Sequence, residues 1–113
     1  MSWKVNLPEL QQEVDAWASR NFPTDTRETV VLGLAEETGE LCRAALKRFQ
    51  GIRGTQDEWY EEVRKEAGDI FLKLLHIAST WDFDLEEAVL ERWETIKQRD
   101  FVKDPKGHGL PSN

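Results

Sequence analysis

The sequence predicts an all-α protein, and three observations support this fold class. Apolar residues recur three and four positions apart along most of the chain, as they do on the buried face of an amphipathic helix. No segment shows the strict alternation of apolar and polar residues that indicates a half-buried strand. Charged residues make up 33% of the chain, whereas there are only 7 glycines and 4 prolines, a composition typical of exposed helices.

The first two helices are marked by residues that favour helix ends. Helix one is predicted to begin near Pro8, because proline is favoured in the first turn, and to end at residues 21–23. Helix two is predicted to be capped by Thr24 or Thr26 and to stop at Gly51. The apolar stripe of helix one is Leu7, Leu10, Val14 and Trp17.

Helices three and four are predicted from the same signals. Thr55 or Asp57 caps helix three, expected over residues 56–81, and Asp82 or Asp84 opens helix four. Their apolar stripes are Trp59, Val63, Ile70, Leu74 and Ile77 in helix three, and Leu85, Val89, Trp93 and Ile96 in helix four. Residues 103–113 are expected to form an irregular tail, and residues 1–113 a single domain.

Composition and charge exclude several classes of protein. The formal net charge of −7 disfavours a binder of nucleic acid polymers, which usually presents a basic surface. No apolar run is long enough to span a membrane, and the N-terminal residues lack the apolar stretch of a signal peptide. The single cysteine, Cys42, cannot form an intrachain disulfide and suits a reducing compartment, so we expect a cytoplasmic location and a buried thiol.

Two clusters of acidic residues lie in the middle helices. Helix two carries Glu36, Glu37 and Glu40, and helix three carries Glu66 and Asp69. Because residues three or four apart share a helix face, each cluster points several carboxylates roughly one way.

Two of these acids fall at core positions. Glu37 lies three residues after Leu34 and four before Leu41, within the apolar stripe, and Glu66 interrupts the stripe of helix three in the same way. A carboxylate at a core position is costly unless it is paired or bound to a metal, and no Lys or Arg lies close to Glu37 in its stripe. Oxygen ligands on rigid helices favour a hard cation, Mg²⁺ or Mn²⁺.

Gly39 and Gly68 lie inside the predicted helices, each immediately before the last acid of its cluster. A glycine inside a helix costs about 1 kcal/mol relative to alanine. Close approach of another backbone or of a ligand would offset that cost. We therefore expect helices two and three to pack tightly at these positions.

The two-part acidic pattern resembles a known family. Glu36-Glu37-x-x-Glu40 followed by Glu66-x-x-Asp69 is similar to the motif of the MazG-like nucleotide pyrophosphohydrolases. These belong to the all-α NTP pyrophosphatase superfamily, with the dimeric dUTPases and phosphoribosyl-ATP pyrophosphohydrolases as relatives. The resemblance covers roughly residues 7–101 and implies a four-helix, bundle-like fold. The flanking residues that fit are Leu34-Ala35, Leu41 and the run from Ile70 to Leu75.

The resemblance implies an enzyme that hydrolyses a nucleoside triphosphate, expected to be a dNTP, to the monophosphate and pyrophosphate. It implies Mg²⁺ as the cofactor, with Mn²⁺ able to substitute, and Glu37, Glu40, Glu66 and Asp69 as its ligands. Glu36 is either a further ligand or the general base, so Glu36 and Glu37 are the candidate catalytic residues. Nucleotide-pool house-cleaning, and assembly as a homodimer or a dimer of dimers, are also implied.

Residues outside the acidic clusters are candidates for substrate binding: Lys73, Lys97, Arg99 and Trp17. Lys73 follows Asp69 by four residues and is expected either to pair with that acid or to contact substrate. Lys97 and Arg99, at the end of helix four, either complement the helix dipole or contact phosphates. Trp17, or Phe22 near it, is expected to stack on the base.

Two alternatives belong to other classes of protein. A di-iron bundle needs a Glu three residues before a histidine, and neither His76 nor His108 has one. We therefore expect both histidines to be structural or solvated. A catalytically idle helical interaction module is the other alternative, although such a module has no need of so many costly acids. Apolar residues near the end of helix three predict an interface between copies of the chain: Phe71, Leu75, Trp81 and Phe83.

Overall fold

The computed structural model describes residues 6–105, and these residues form four α-helices and no strand. The predicted all-α fold class is therefore confirmed. No helix in the described part of the chain is long and apolar enough to cross a membrane. The helices are α1 (Leu7–Asn21), α2 (Arg27–Gln50), α3 (Gln56–Thr80) and α4 (Leu85–Ile96).

Each helix begins after a side chain that caps its first turn. Every cap accepts a hydrogen bond from the backbone N–H three residues later, which satisfies one of the free donors at a helix start. In α3 the cap is reciprocal, because the carboxylate of Glu58 accepts from the N–H of Thr55 at 2.8 Å. Gly51 ends α2 in the left-handed conformation with φ 68°, as expected of a C-terminal glycine. The caps are Asn6, Thr26, Thr55 and Asp84.

The helices pack around α3. The most extensive contact joins α2 to α3, α1 packs on α3, and α4 makes smaller contacts with α1 and α3. Gln11 ties the start of α4 to α1, because its side chain donates to Phe83 O at 2.8 Å and accepts from Leu85 N at 3.1 Å. The core consists of Leu75, Ala78 and Leu85, with Leu10, Val14 and Leu74 packed against it.

The structure corrects the prediction for helix four and for one interface residue. Leu75 is fully buried in the core and is not available for an interface between copies. In α4 only Leu85 of the predicted stripe is buried, while Val89, Trp93 and Ile96 stay exposed. The reason is that α4 makes few contacts with the other helices of the described chain. The helix also ends at Ile96, so the basic residues predicted to close it follow it instead.

Two further expectations about helix two and helix three are wrong. A Cβ placed on Gly39 or Gly68 would have no neighbour within 4 Å, so the helices do not pack tightly there and nothing in the packing explains these glycines. Cys42 is exposed, because it follows Leu41 by one residue and so points away from the half-buried stripe. His108 lies outside the described residues.

Candidate metal centre

Three carboxylates from α2 and α3 come together where these two helices lie side by side. One oxygen each of Glu37, Glu40 and Glu66 lies within 4.8 Å of the other two. Glu66 is almost completely buried, with 3% of its surface exposed, whereas Glu37 is half-buried and Glu40 is exposed. The group is therefore a carboxylate triad with an inner end among apolar side chains and an outer end open to solvent.

The inner oxygens of this triad have no partner among the described residues. Glu37 Oε2 and Glu66 Oε2 are buried and accept no hydrogen bond. The nearest cation to the other oxygen of Glu66 is Lys65 Nζ at 3.7 Å, from a lysine side chain that is mostly exposed. Buried charges are normally paired or bound to metal, and each buried oxygen without a donor destabilises the fold. Oxygens that lack donors and face one another fit a hard divalent cation.

The electrostatic environment of the triad also favours a bound cation. Burial raises the pKa of Glu37, and the negative charges of Asp69 and Glu66 raise it further, while Lys73 acts in the opposite direction. Burial also raises the pKa of Glu66, as does the Glu40 carboxyl beside it. Both carboxyls thus lie in a negative field that a bound cation would neutralise.

The other two predicted acids lie near the triad but outside it. Asp69 is half-buried and lines a cavity together with Glu37. Glu36 is exposed and precedes Glu37 by one residue, so its side chain leaves α2 in a different direction. The structure therefore brings Glu37, Glu40 and Glu66 together, places Asp69 at the neighbouring wall, and leaves Glu36 toward solvent.

The cavity beside the triad has a volume of about 260 Å³ and is formed by α1, α2 and α3 together with residue 22. Its acidic wall is Glu37 and Asp69, and most of its other lining residues are apolar and form what we call the apolar wall. Within that apolar wall Trp17 and Phe22 meet edge to face, with ring centroids 5.6 Å apart and planes at 77°. The lining residues are Val14, Trp17, Ala18, Phe22, Glu37, Asp69, Leu72, Lys73 and His76.

Lys73 is the basic residue of the cavity lining. Its Nζ packs over α2, 3.3 Å from the position that a Cβ on Gly33 would occupy, so the glycine leaves room for the ammonium group. The salt bridges among residues 6–105 are formed by Arg64, Lys65 and Lys97 and none involves Lys73. The ammonium is thus close enough to Glu37 to lower its pKa, yet remains free to meet an anion.

Lys97 and Arg99 do not line this cavity. Both follow the end of α4, and Lys97 Nζ donates to Glu94 Oε1 at 2.7 Å. α4 packs on α1 and α3, so in the described chain it does not approach the acids of α2. Their contact with phosphates stays a prediction.

His76 also lines this cavity, although the sequence predicts a structural or solvated histidine. It lies on α3, seven residues after Asp69 and three after Lys73, and is buried with 8% of its surface exposed. Burial and the charge of Lys73 lower the pKa of its ring, although Asp25 and Asp15 oppose this. The spacing of three and seven residues along one helix face was the available signal.

The fold and this site define an all-α protein with a carboxylate centre suited to a divalent cation, next to a half-apolar cavity. Comparison with family profiles identifies the MazG nucleotide pyrophosphohydrolase domain, which matches residues 25–101. The chain belongs to this family, as its acidic motif predicted. The match spans α2, α3 and α4 but not α1. No curated protein and no solved structure matched the chain.

Proposed function

We propose that this protein hydrolyses a nucleoside triphosphate, a dNTP in the first place, to the monophosphate and pyrophosphate with the help of Mg²⁺. The observation that carries this proposal is the carboxylate triad, in which two buried oxygens have no donor among the residues that the structure describes. Membership of the MazG nucleotide pyrophosphohydrolase family supplies the reaction class. The adjoining cavity supports it, since its lining combines acidic and apolar residues with a lysine, as a phosphate chain with a base requires.

Mg²⁺, or Mn²⁺ in its place, would be held by Glu37, Glu40 and Glu66, with Asp69 as the fourth acid at the edge. When bound, the ion supplies neutralisation of phosphate charge and a lower pKa for a water molecule. The acids hold their positions because they project from two long, capped helices, so little reorganisation is needed when a cation enters.

The remaining residues of the cavity position the substrate. Lys73 offers an ammonium group to the anionic phosphates, and the exposed ring of Trp17 offers a face on which a base can stack. Water attacks the α-phosphorus, the bond to the bridging oxygen breaks, and pyrophosphate leaves. Glu36 or Glu37 accepts the proton of the attacking water, and the assignment between them stays open because neighbouring carboxyls titrate together.

Assembly as a homodimer or a dimer of dimers is part of this proposal. The exposed face of α4 and the segment after it carry large apolar side chains that residues 6–105 leave exposed: Val89, Leu90, Trp93, Ile96 and Val102. Apolar surface of this kind usually marks an interface. Light scattering at micromolar concentration should return at least twice the mass of the 13.1 kDa chain, and a monomer mass would contradict it. A cytoplasmic role in nucleotide-pool house-cleaning completes the proposal.

The reaction is tested by incubating the protein with each nucleoside triphosphate and Mg²⁺ and following the products by phosphorus NMR. We expect monophosphate and pyrophosphate, and loss of both when EDTA removes the metal. Glu66→Gln should be inactive, whereas Glu61→Gln should retain activity, because Glu61 is exposed and pairs with Arg64 at 3.2 Å away from the triad. Release of orthophosphate with formation of the diphosphate would refute the proposed bond cleavage.

A further inference from the structure

His76 is a buried polar side chain whose hydrogen-bonding capacity is unused. No hydrogen bond to its ring is formed within residues 6–105, and neither ring nitrogen is a sealed-off atom like the inner oxygens of the triad. Only 8% of the residue surface is exposed, and the residue lines the cavity beside Lys73. Because the ring has no protein partner and its nitrogens are not sealed from the cavity, a ligand bound there can form hydrogen bonds with them.

The charge state of the ring fixes what it offers to that ligand. Because burial and Lys73 lower its pKa, the imidazole is neutral at pH 7. A neutral imidazole has one N–H donor and one acceptor nitrogen. Such a pair suits the uncharged donors and acceptors on the edge of a nucleobase, whereas phosphate oxygens are better served by the ammonium of Lys73.

The position of His76 also separates it from the phosphates. At a rise of about 1.5 Å per residue, seven residues of α3 place it about 10 Å along the helix from Asp69. Lys73 lies between the two. Along α3 the acid and the cation thus precede the neutral ring, so a nucleotide whose phosphates lie at Asp69 and Lys73 would direct its base toward His76. The aromatic pair Trp17 and Phe22 lines the same cavity.

We infer that His76 reads the edge of the nucleobase and so determines which triphosphate this enzyme prefers. This inference rests on the proposed function, since it assigns the base end of the same cavity. Trp17 stacks on any base through its π-face and cannot distinguish one from another, whereas a hydrogen bond to the base edge can. The chemical class recognised is a nucleobase with a donor or acceptor at the position that faces the ring.

The experiment compares wild type, His76→Phe, His76→Gln and the control Thr80→Val. Phenylalanine keeps the ring and removes both nitrogens, while glutamine keeps one donor and one acceptor. Thr80 is a half-buried polar residue of the same helix whose hydroxyl donates to Ile77 O at 3.0 Å and which does not line the cavity. For each protein, kcat and KM are measured with dATP, dGTP, dCTP, dTTP, dUTP and the ribonucleotides. Binding of non-hydrolysable α,β-imido analogues is measured by calorimetry in parallel.

We expect His76→Phe to lower kcat/KM for the preferred base about tenfold to hundredfold, the range for an unpaired buried partner. The loss should appear as a higher KM and should be small for the other bases. His76→Gln should recover part of the lost kcat/KM, and Thr80→Val should keep the wild-type ranking of the bases. An equal loss for all bases, a shift only between ribose and deoxyribose, or no shift would overturn the inference. If His76→Phe does not fold, His76→Leu, which also lacks both nitrogens, is measured in its place, and an equal loss for every base would overturn the inference.

The binding measurement separates this inference from the proposed reaction. If wild type binds the imido analogues with a base preference that His76→Phe removes, yet hydrolyses none of the triphosphates, the reaction is wrong and the reading of the base stands. If wild type binds no analogue, both are overturned. Adding Mg²⁺ should raise affinity for every analogue by the same factor, because the cation would act at the phosphates.

Discussion

Replacing Glu37 by glutamine tests whether the triad is held together at a cost to stability. In the structure without a cation, the carboxylate of Glu37 faces two others with ligand oxygens within 4.8 Å. Glutamine has nearly the same shape but no charge, so Glu37→Gln removes repulsion and retains packing. We expect the metal-free variant to be more stable than metal-free wild type, an unusual direction for a change at a half-buried position.

The size of this stabilisation follows from Coulomb's law. Two unit charges 4.8 Å apart repel by about 0.9 kcal/mol in water and by about 3.5 kcal/mol at an effective dielectric constant of 20. Glu37 takes part in two such pairs, and the loss of its attraction to Lys73 offsets part of the gain. We expect the free energy of unfolding of the metal-free variant to exceed that of metal-free wild type by about 1 kcal/mol or more, which corresponds to a rise in Tm of roughly 4 °C in a chain of this size.

With a bound cation, wild type should instead be more stable than Glu37→Gln. A ligand at about 100 times its Kd stabilises the native state by about 2.7 kcal/mol, and a neutral amide in place of a ligand carboxylate forfeits most of that gain. The assay is four melting curves at pH 8, for wild type and Glu37→Gln with EDTA and with excess Mg²⁺. Glu61→Gln is the matched control, because it removes an exposed carboxylate paired with Arg64 and should leave the Mg²⁺ shift unchanged. A Glu37→Gln protein that melts below wild type in EDTA and keeps the full Mg²⁺ shift would refute the metal centre.

Three further outcomes follow from single residues. Lys73→Met should raise KM for the triphosphate about tenfold in steady-state kinetics, because a charged hydrogen bond is lost, and an unchanged KM would remove Lys73 from the substrate site. Leu75→Ala should lower the free energy of unfolding by about 2–5 kcal/mol in urea melts, since the side chain is fully buried. The hydrogen bond from Thr55 N–H lowers the pKa of the Glu58 carboxyl. The ionised carboxylate therefore stabilises the folded state fully at pH values above the ordinary pKa of 4.5, and this stabilisation is lost as the pH falls through the lowered pKa of the folded state. In urea melts, Glu58→Ala should therefore have a lower free energy of unfolding than wild type at pH 7, and this difference should shrink in acid. A difference that stays constant with pH would contradict the role of Glu58 in the cap.

The parts of the fold that follow from local chemistry could be predicted from the sequence. Helix spacing and end signals are properties of neighbouring residues, so all four helices and the choice of caps at Thr55 and Gly51 were within reach. The phase of Glu37 and Glu66 also depends only on helix geometry, and the structure indeed buries these two acids more than Glu40. Local pattern thus located the acids that meet between α2 and α3.

Features that depend on how helices pack could not be predicted in this way. The apolar phase of Val89 and Trp93 indicates a buried face, but whether another element covers it is decided by tertiary contacts, and no element within residues 6–105 does. Leu75 was misplaced because helix phase alone does not say that α1 and α4 cover a second face of α3. The role of His76 needed the cavity, since a lone histidine on an apolar helix face is compatible with simple burial.

The site therefore combines residues from inside and outside the segment that matches the family. The acids lie on α2 and α3, within the segment that matches the MazG domain, whereas Val14, Trp17 and Ala18 of α1 lie before it. The matched segment thus carries both the acids and His76, whereas Trp17, which we propose stacks on the base, lies outside it. A change at Trp17 should consequently weaken binding of every nucleotide, and a change at His76 should alter which nucleotide is preferred. Neither change should alter the response to Mg²⁺, whereas a change in the triad should alter that response and leave the preference for the base unchanged.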